Sequence, residues 1–144
     1  MVEVGGNGRI WLLSGEHSSY ALRLNRHDEL LHLHWGPRLT LADAEALAAE
    51  PPPRFRSFES RLDGREEYPV EGGPRFVRPA LAVRAADGDG GRGSEWEFRG
   101  AETDDEVLRL TFHDPVHRLG VTLHYRMRAG ADVLERWATA VHEG

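Results

Sequence analysis

The chain has 144 residues, with 18 basic and 24 acidic side chains, eight histidines, no cysteine and a formal net charge of −6. That length suits one domain burying roughly 70% of its unfolded surface, and falls short of the about 250 residues of a (β/α)8 barrel. The acidic balance argues against nucleic-acid and anionic-membrane partners, and the missing cysteines exclude disulfides, thiolate zinc sites and thiol nucleophiles.

All basic residues are arginine, so no lysine can serve as a phosphate anchor, Schiff base or general base. Met1-Val2-Glu3-Val4 opens the chain without the basic and apolar regions of a secretory leader, and no apolar run spans a bilayer. A soluble cytoplasmic protein is expected.

Taken in order, Gly5-Gly6-Asn7-Gly8 resembles a phosphate loop only superficially, because no strand is predicted before it. Arg9 to Ser14 reads as a strand. Ser18 to Asn25 alternates, with Tyr20, Leu22 and Leu24 on one face. Arg26-His27-Asp28 is a connection of hairpin length. Glu29 to Trp35 then predicts Leu31, Leu33 and Trp35 on one face, with His32 and His34 together on the other.

Leu41 to Glu50 is alanine-rich, with Thr40 as N-cap and Pro51-Pro52-Pro53 as its stop, which predicts a short surface helix. Arg54 to Pro79 lacks periodicity, and a connection of that length is functional, disordered or packed against something else. Leu108, Leu110 and Phe112 alternate with polar residues, as do Val121, Leu123, Tyr125 and Met127; Asp132 to His142 predicts a last strand. Clean alternation belongs to antiparallel sheets with one packed and one wet face. The fold class is all-β, an antiparallel β-sandwich with one short surface helix, in a single domain over residues 1–144.

Reactive chemistry finds little support. His32 and His34, with His27 nearby, sketch two ligands of a zinc or copper site without a third fixed by spacing, and His113, Asp114 and His117 do so more weakly. No metal or other cofactor is expected. There is no Gly-x-Ser-x-Gly elbow. A glycosidase carboxylate pair must face across a cleft of about 5–9 Å, which spacing alone does not provide. Trp11, Trp35, Trp96 and Trp137 are many for a small domain; Trp35 and Trp96 read as packing residues beside Leu31, Leu33 and Phe98.

An ordered set of segments resembles one family. Trp11-Leu12-Leu13, Ser18-Ser19-Tyr20 and the run from Leu30 through His34-Trp35-Gly36 to Leu39 are similar to the opening of family 36 glycoside hydrolases, the bacterial α-galactosidases (melibiases). Arg56-Ser57-Phe58, Glu66-Glu67-Tyr68-Pro69, Phe76, Pro79-Ala80-Leu81, Leu108 to Asp114, Gly120 to Tyr125 and Asp132 to Arg136 resemble later blocks in the same order. The resemblance implies an N-terminal β-supersandwich, joined in a complete enzyme to a (β/α)8 barrel that carries the catalytic aspartates and is not in this chain. It implies a non-catalytic accessory or interface domain of an enzyme that hydrolyses terminal α-galactosides such as melibiose and raffinose with retention. The implied partners are that barrel, a galactoside at the domain boundary, and further copies in a homo-oligomer.

The resemblance also implies site residues. Arg56 matches an arginine near the sugar or a subunit contact, where its planar fork could bridge hydroxyls. Asp43 is a weaker match to the family aspartate. Arg75 and Val77 stand where the family has Asp and Arg, leaving Arg78 as the nearest replacement. Trp35 and Phe76 are candidates for packing or for a sugar platform. The competing readings are an independent carbohydrate-binding β-sandwich module and, further off, a small stand-alone β-sandwich enzyme.

Overall fold

The computed structural model describes residues 1–49, 65–72, 77–84 and 93–144. Two four-stranded antiparallel meanders account for most of them. The first sheet runs β1 (Val2–Gly5), β2 (Ile10–Ser14), β3 (Ser18–Leu24) and β4 (Leu30–Pro37), in that order across the sheet. Helix α1 (Leu41–Ala49) follows. The second sheet runs β5 (Glu97–Thr103), β6 (Val107–Asp114), β7 (Leu119–Arg128) and β8 (Val133–His142). The fold is an all-β sandwich.

Period-two alternation builds its core. Trp11, Leu13, Tyr20, Leu22, Leu24 and Leu30 from the first sheet pack on Leu108, Leu110, Phe112, Val121, Leu123, Tyr125 and Met127 from the second. Each such side chain contributes about 1.5–3 kcal/mol by leaving water. Trp96 and Phe98 meet Phe112 at ring-centroid distances of 5.2 and 5.5 Å, so both are packing residues.

Strand β1 precedes Gly5-Gly6-Asn7-Gly8, contrary to the sequence expectation. The loop is nevertheless a hairpin turn: the Gly8 N–H donates to the Gly5 carbonyl at 3.0 Å, and β1 pairs directly with β2. Gly6, Asn7 and Gly8 all have positive φ, a conformation that glycine and asparagine tolerate. A phosphate loop would have to lead into a helix.

The face assignment of β4 also changes. Ala21 faces His34 and Leu22 faces His32, so Leu33 is an extra residue in a β-bulge. Before the bulge, His32 turns into the sandwich, with its ring centroid 5.0 Å from that of Tyr20; beyond it Trp35 does the same at 5.7 Å. Leu33 instead joins Ile10, Leu12 and Ala21 on the opposite face. Trp35 is therefore not on the face of Leu33, and the two imidazoles do not share a face.

Helix α1 forms where expected. The Asp43 N–H donates to Thr40 Oγ1 at 3.2 Å, and the Asp43 carboxylate accepts the Thr40 N–H at 2.9 Å, a reciprocal cap. It is more than a surface helix, however. Ala44 is fully buried against Ile10, Leu12 and Ala21, so α1 covers the outer face of the first sheet and forms a second small core. The Arg23 side chain donates to the Ala48 carbonyl, placing a cation at the helix C-terminus.

Part of the long connection is packed. The His32 N–H donates to the Arg65 carbonyl at 2.8 Å and the Glu67 N–H to the Leu30 carbonyl at 3.0 Å, which lays residues 65–67 along the edge of β4. Val70 is buried and bridges to Leu81.

Candidate functional site

Laying residues 65–67 on β4 drives the Glu67 side chain between the sheets, where it is only 4% exposed. Tyr20 Oη donates to both carboxylate oxygens, at 2.7 and 2.6 Å. Arg136 of β8 donates to Glu67 Oε1 at 2.7 Å and to Tyr20 Oη at 3.2 Å. His32 Nδ1 lies 3.7 Å from Oε2. Three chain segments thus converge on one carboxylate.

The electrostatics follow from burial. Desolvation, reinforced by the charge of Glu67, pushes the Tyr20 hydroxyl far above its usual pKa, and the same causes act on Tyr125. Both hydroxyls therefore remain donors at any ordinary pH. Burial also lowers the pKa of His32, only partly offset by Glu67. With both oxygens accepting strong hydrogen bonds, this carboxylate is committed to holding the sheets together and is poorly placed to act as nucleophile or acid.

Two other acidic residues serve as ties. Asp132 in the β7–β8 turn accepts from His17 and Ser18, and these bonds hold its carboxyl well below the usual range. Asp114 is almost fully buried and accepts from the Val116 N–H at 2.9 Å, with His117 Nδ1 at 2.7 Å. Among the described residues, no three histidine or carboxylate side chains are grouped to hold a metal.

The sequence candidates that the structure describes are Asp43, Arg78 and Trp35. Arg56 and Phe76 lie outside the described residues. Asp43 is occupied in capping α1, and Arg78 is exposed in the connection. Trp35 is 50% exposed, with its ring edge-on to Tyr20 at the rim of the sandwich.

Among the described residues, several of the exposed large apolar side chains lie on β8. Val133, Trp137 and Val141 are each about half exposed on its outer face. The Trp137 ring, 43% exposed, stacks parallel on His124 at 4.9 Å, and the Arg126 guanidinium lies 5.8 Å from its centroid. Glu67 was legible only as part of Glu66-Glu67-Tyr68-Pro69; an acid flanked by tyrosine and proline was the sole hint that it is buried.

Residues 28–144 match the family model described as the glycosyl hydrolase family 36 N-terminal domain. The chain belongs to that family. Solved structures with the same fold include the galactosidase domain of an α-galactosidase-sucrose kinase, AgaSK, which is 19% identical, with a TM-score of 0.81 over all of this chain and 23% of that one. The family 36 α-galactosidase AgaA of Geobacillus stearothermophilus, in complex with 1-deoxygalactonojirimycin, is 21% identical, with a TM-score of 0.77 over 94% of this chain and 22% of that one. The α-galactosidase of Lactobacillus brevis is 20% identical, with a TM-score of 0.73 over 96% of this chain and 22% of that one. This family 36 domain thus spans under a quarter of the length of these relatives. Comparison with curated proteins by sequence gave no match.

Proposed function

We propose that this family 36 N-terminal domain is a non-catalytic accessory and interface element of an α-galactosidase, whose reacting carboxylates lie on a barrel outside this chain. The observation that carries the reading is the coverage: essentially the whole chain superposes on under a quarter of several α-galactosidases. The half-exposed Val133, Trp137 and Val141, which share the outer face of β8, support it, because an apolar row on an edge strand suits contact with a neighbouring domain. Arg56, with Asp43 and Arg78 as weaker candidates, is assigned to the sugar-proximal or subunit boundary, and α-galactosides such as melibiose and raffinose are the substrates of the complete, oligomeric enzyme.

The test is hydrolysis of an aryl α-galactoside. The 144-residue chain alone should show none, whereas a polypeptide in which it is joined to a barrel should be active. Turnover by the isolated chain would overturn the reading. In the joined enzyme, Arg56→Ala should raise KM for raffinose while the domain stays folded; unchanged kinetics would remove Arg56 from the boundary.

One observation favours the second reading, a carbohydrate-binding module: the Trp137 indole, stacked on His124 and open on the surface, has the form of a sugar platform. Loss of raffinose binding in Trp137→Ala, with no hydrolytic partner present, would favour it.

A further inference from the structure

Strand β8 closes one side of the second sheet, and among the described residues no strand pairs with its outer edge. Every residue from Trp137 to His142 is exposed, even Ala138 and Ala140, which share the inward face of Leu134 and Arg136. One hydrogen bond fixes the phase of the backbone: the Glu143 N–H donates to the Arg118 carbonyl at 2.8 Å. Backbone groups alternate in direction along an antiparallel strand, and the β7–β8 register is unbroken from Val133 to His142. Odd-numbered residues therefore bond to β7, while Leu134, Arg136, Ala138 and Ala140 turn their N–H and C=O groups outward. Proteins commonly blunt such edges with lysine, proline or a bulge. This strand has none of them.

The edge is also complementary to itself. An antiparallel two-fold centred on Trp137 sets Leu134 against the partner's Ala140 and Arg136 against the partner's Ala138. These are the pairs that would exchange backbone hydrogen bonds. On the outer face the same register sets Val133 against the partner's Val141, Glu135 against the partner's Thr139, and the two indoles against each other. Large side chains meet small, apolar meet apolar, and no like charges are opposed. Glu135 keeps its own pairs with Arg126 and Arg128. Neighbouring registers lose this match: centring on Arg136 opposes two guanidinium groups, and centring on Ala138 sets Glu135 against the partner's Val141. We propose that β8 is the interface for a second copy of this chain, joined about a two-fold axis at Trp137 so that two four-stranded sheets become one of eight strands.

This inference names the neighbour of the β8 apolar row and rests on the interface part of the accessory-domain reading. Its test is sedimentation equilibrium of the 144-residue chain. A monomer–dimer equilibrium is expected, weakened at least about tenfold in Ala138→Pro, which removes one outward N–H per copy and spares the pairing with β7. Because the chain has no cysteine, single cysteine variants read the register. Directly opposed residues approach to about 4.5–5.5 Å between Cα atoms, within disulfide reach. Trp137→Cys should therefore form a disulfide-linked dimer on oxidation with diamide faster than Val141→Cys, although Val141 is the more exposed, at 58% against 43%. The wild-type equilibrium and the cysteine pair read the interface even if the proline variant folds poorly. A chain that stays monomeric, a dimer unmoved by a folded Ala138→Pro, or faster linkage through Val141→Cys would each overturn the proposal. None of those outcomes bears on hydrolysis, which tests the accessory-domain reading separately.

Discussion

Asp132 accepts two hydrogen bonds from Ser18, from the backbone N–H at 3.0 Å and from the hydroxyl at 2.9 Å. Ser18 opens β3 in the first sheet and Asp132 sits in the β7–β8 turn of the second, so this pair closes one end of the sandwich as Glu67 and Arg136 tie it nearer the middle. Asp132 holds a positive φ to reach Ser18, as aspartate does more readily than most residues.

Asp132→Ala is expected to lower Tm at neutral pH. A carboxyl whose pKa is depressed by hydrogen bonds from His17 and Ser18 contributes stability above its unfolded pKa near 3.9. That contribution disappears as pH falls through the lower folded value. Thermal scans of wild type and variant should therefore differ at about pH 7 and converge in strong acid. A constant gap would show that the carboxylate's charge is irrelevant.

Glu67→Gln should destabilise the fold by about 1–3 kcal/mol in urea titrations, because it weakens bonds from Tyr20 and Arg136 at a buried position. A double-mutant cycle with Arg136→Met should give a coupling of about 0.5–3 kcal/mol. Zero coupling would mean that the 2.7 Å pair does not contribute as a pair.

Stability should also fall as pH drops below about 6.5. Burial lowers the pKa of His32 in the folded chain, so the unfolded chain binds the proton first and gains on the folded state. The contribution is complete above the unfolded pKa and declines toward the lower folded value. Urea midpoints across the range should show this slope, and His32→Phe should reduce it. His124, lowered by burial and by Arg109, accounts for a residual slope of the same sign.

Ala44→Leu tests the second core. Ala44 has no exposed surface beneath α1, so three added carbons should cost about 1–3 kcal/mol through overpacking. Ala46, exposed on the same helix, should accept leucine within about 0.5 kcal/mol. Equal effects at both positions would mean that α1 does not pack as described.

Much of the fold is legible in the residues because alternation is local. Leu108, Leu110 and Phe112, and Val121 through Met127, point inward as their period demands. Strands β1 and β5 escaped detection for the same reason: Val2–Gly5 is too short to show a period, and a register shift between Phe98 and Gly100 interrupts β5. Thr40 marked the start of α1, but nothing local said that Ala44 would be covered.

The candidate site was less legible. Arg56, Asp43 and Arg78 came from family resemblance, and Arg56 lies outside the described residues. Glu67 and Trp96 matter through partners far away in the chain, such as Arg136 for Glu67 and Phe112 for Trp96. No window of sequence contains such a pair.

The amino-acid sequence by itself determined the antiparallel β class, the capped helix and the likeness to family 36, because periodicity, capping and ordered motifs are properties of neighbouring residues. Only the tertiary structure decided which way His32 and Trp35 face, that Glu67 bridges the sheets, and that α1 covers Ala44. A one-residue bulge reverses the faces beyond it, and long-range packing chooses where a polar group finds, or fails to find, its partner.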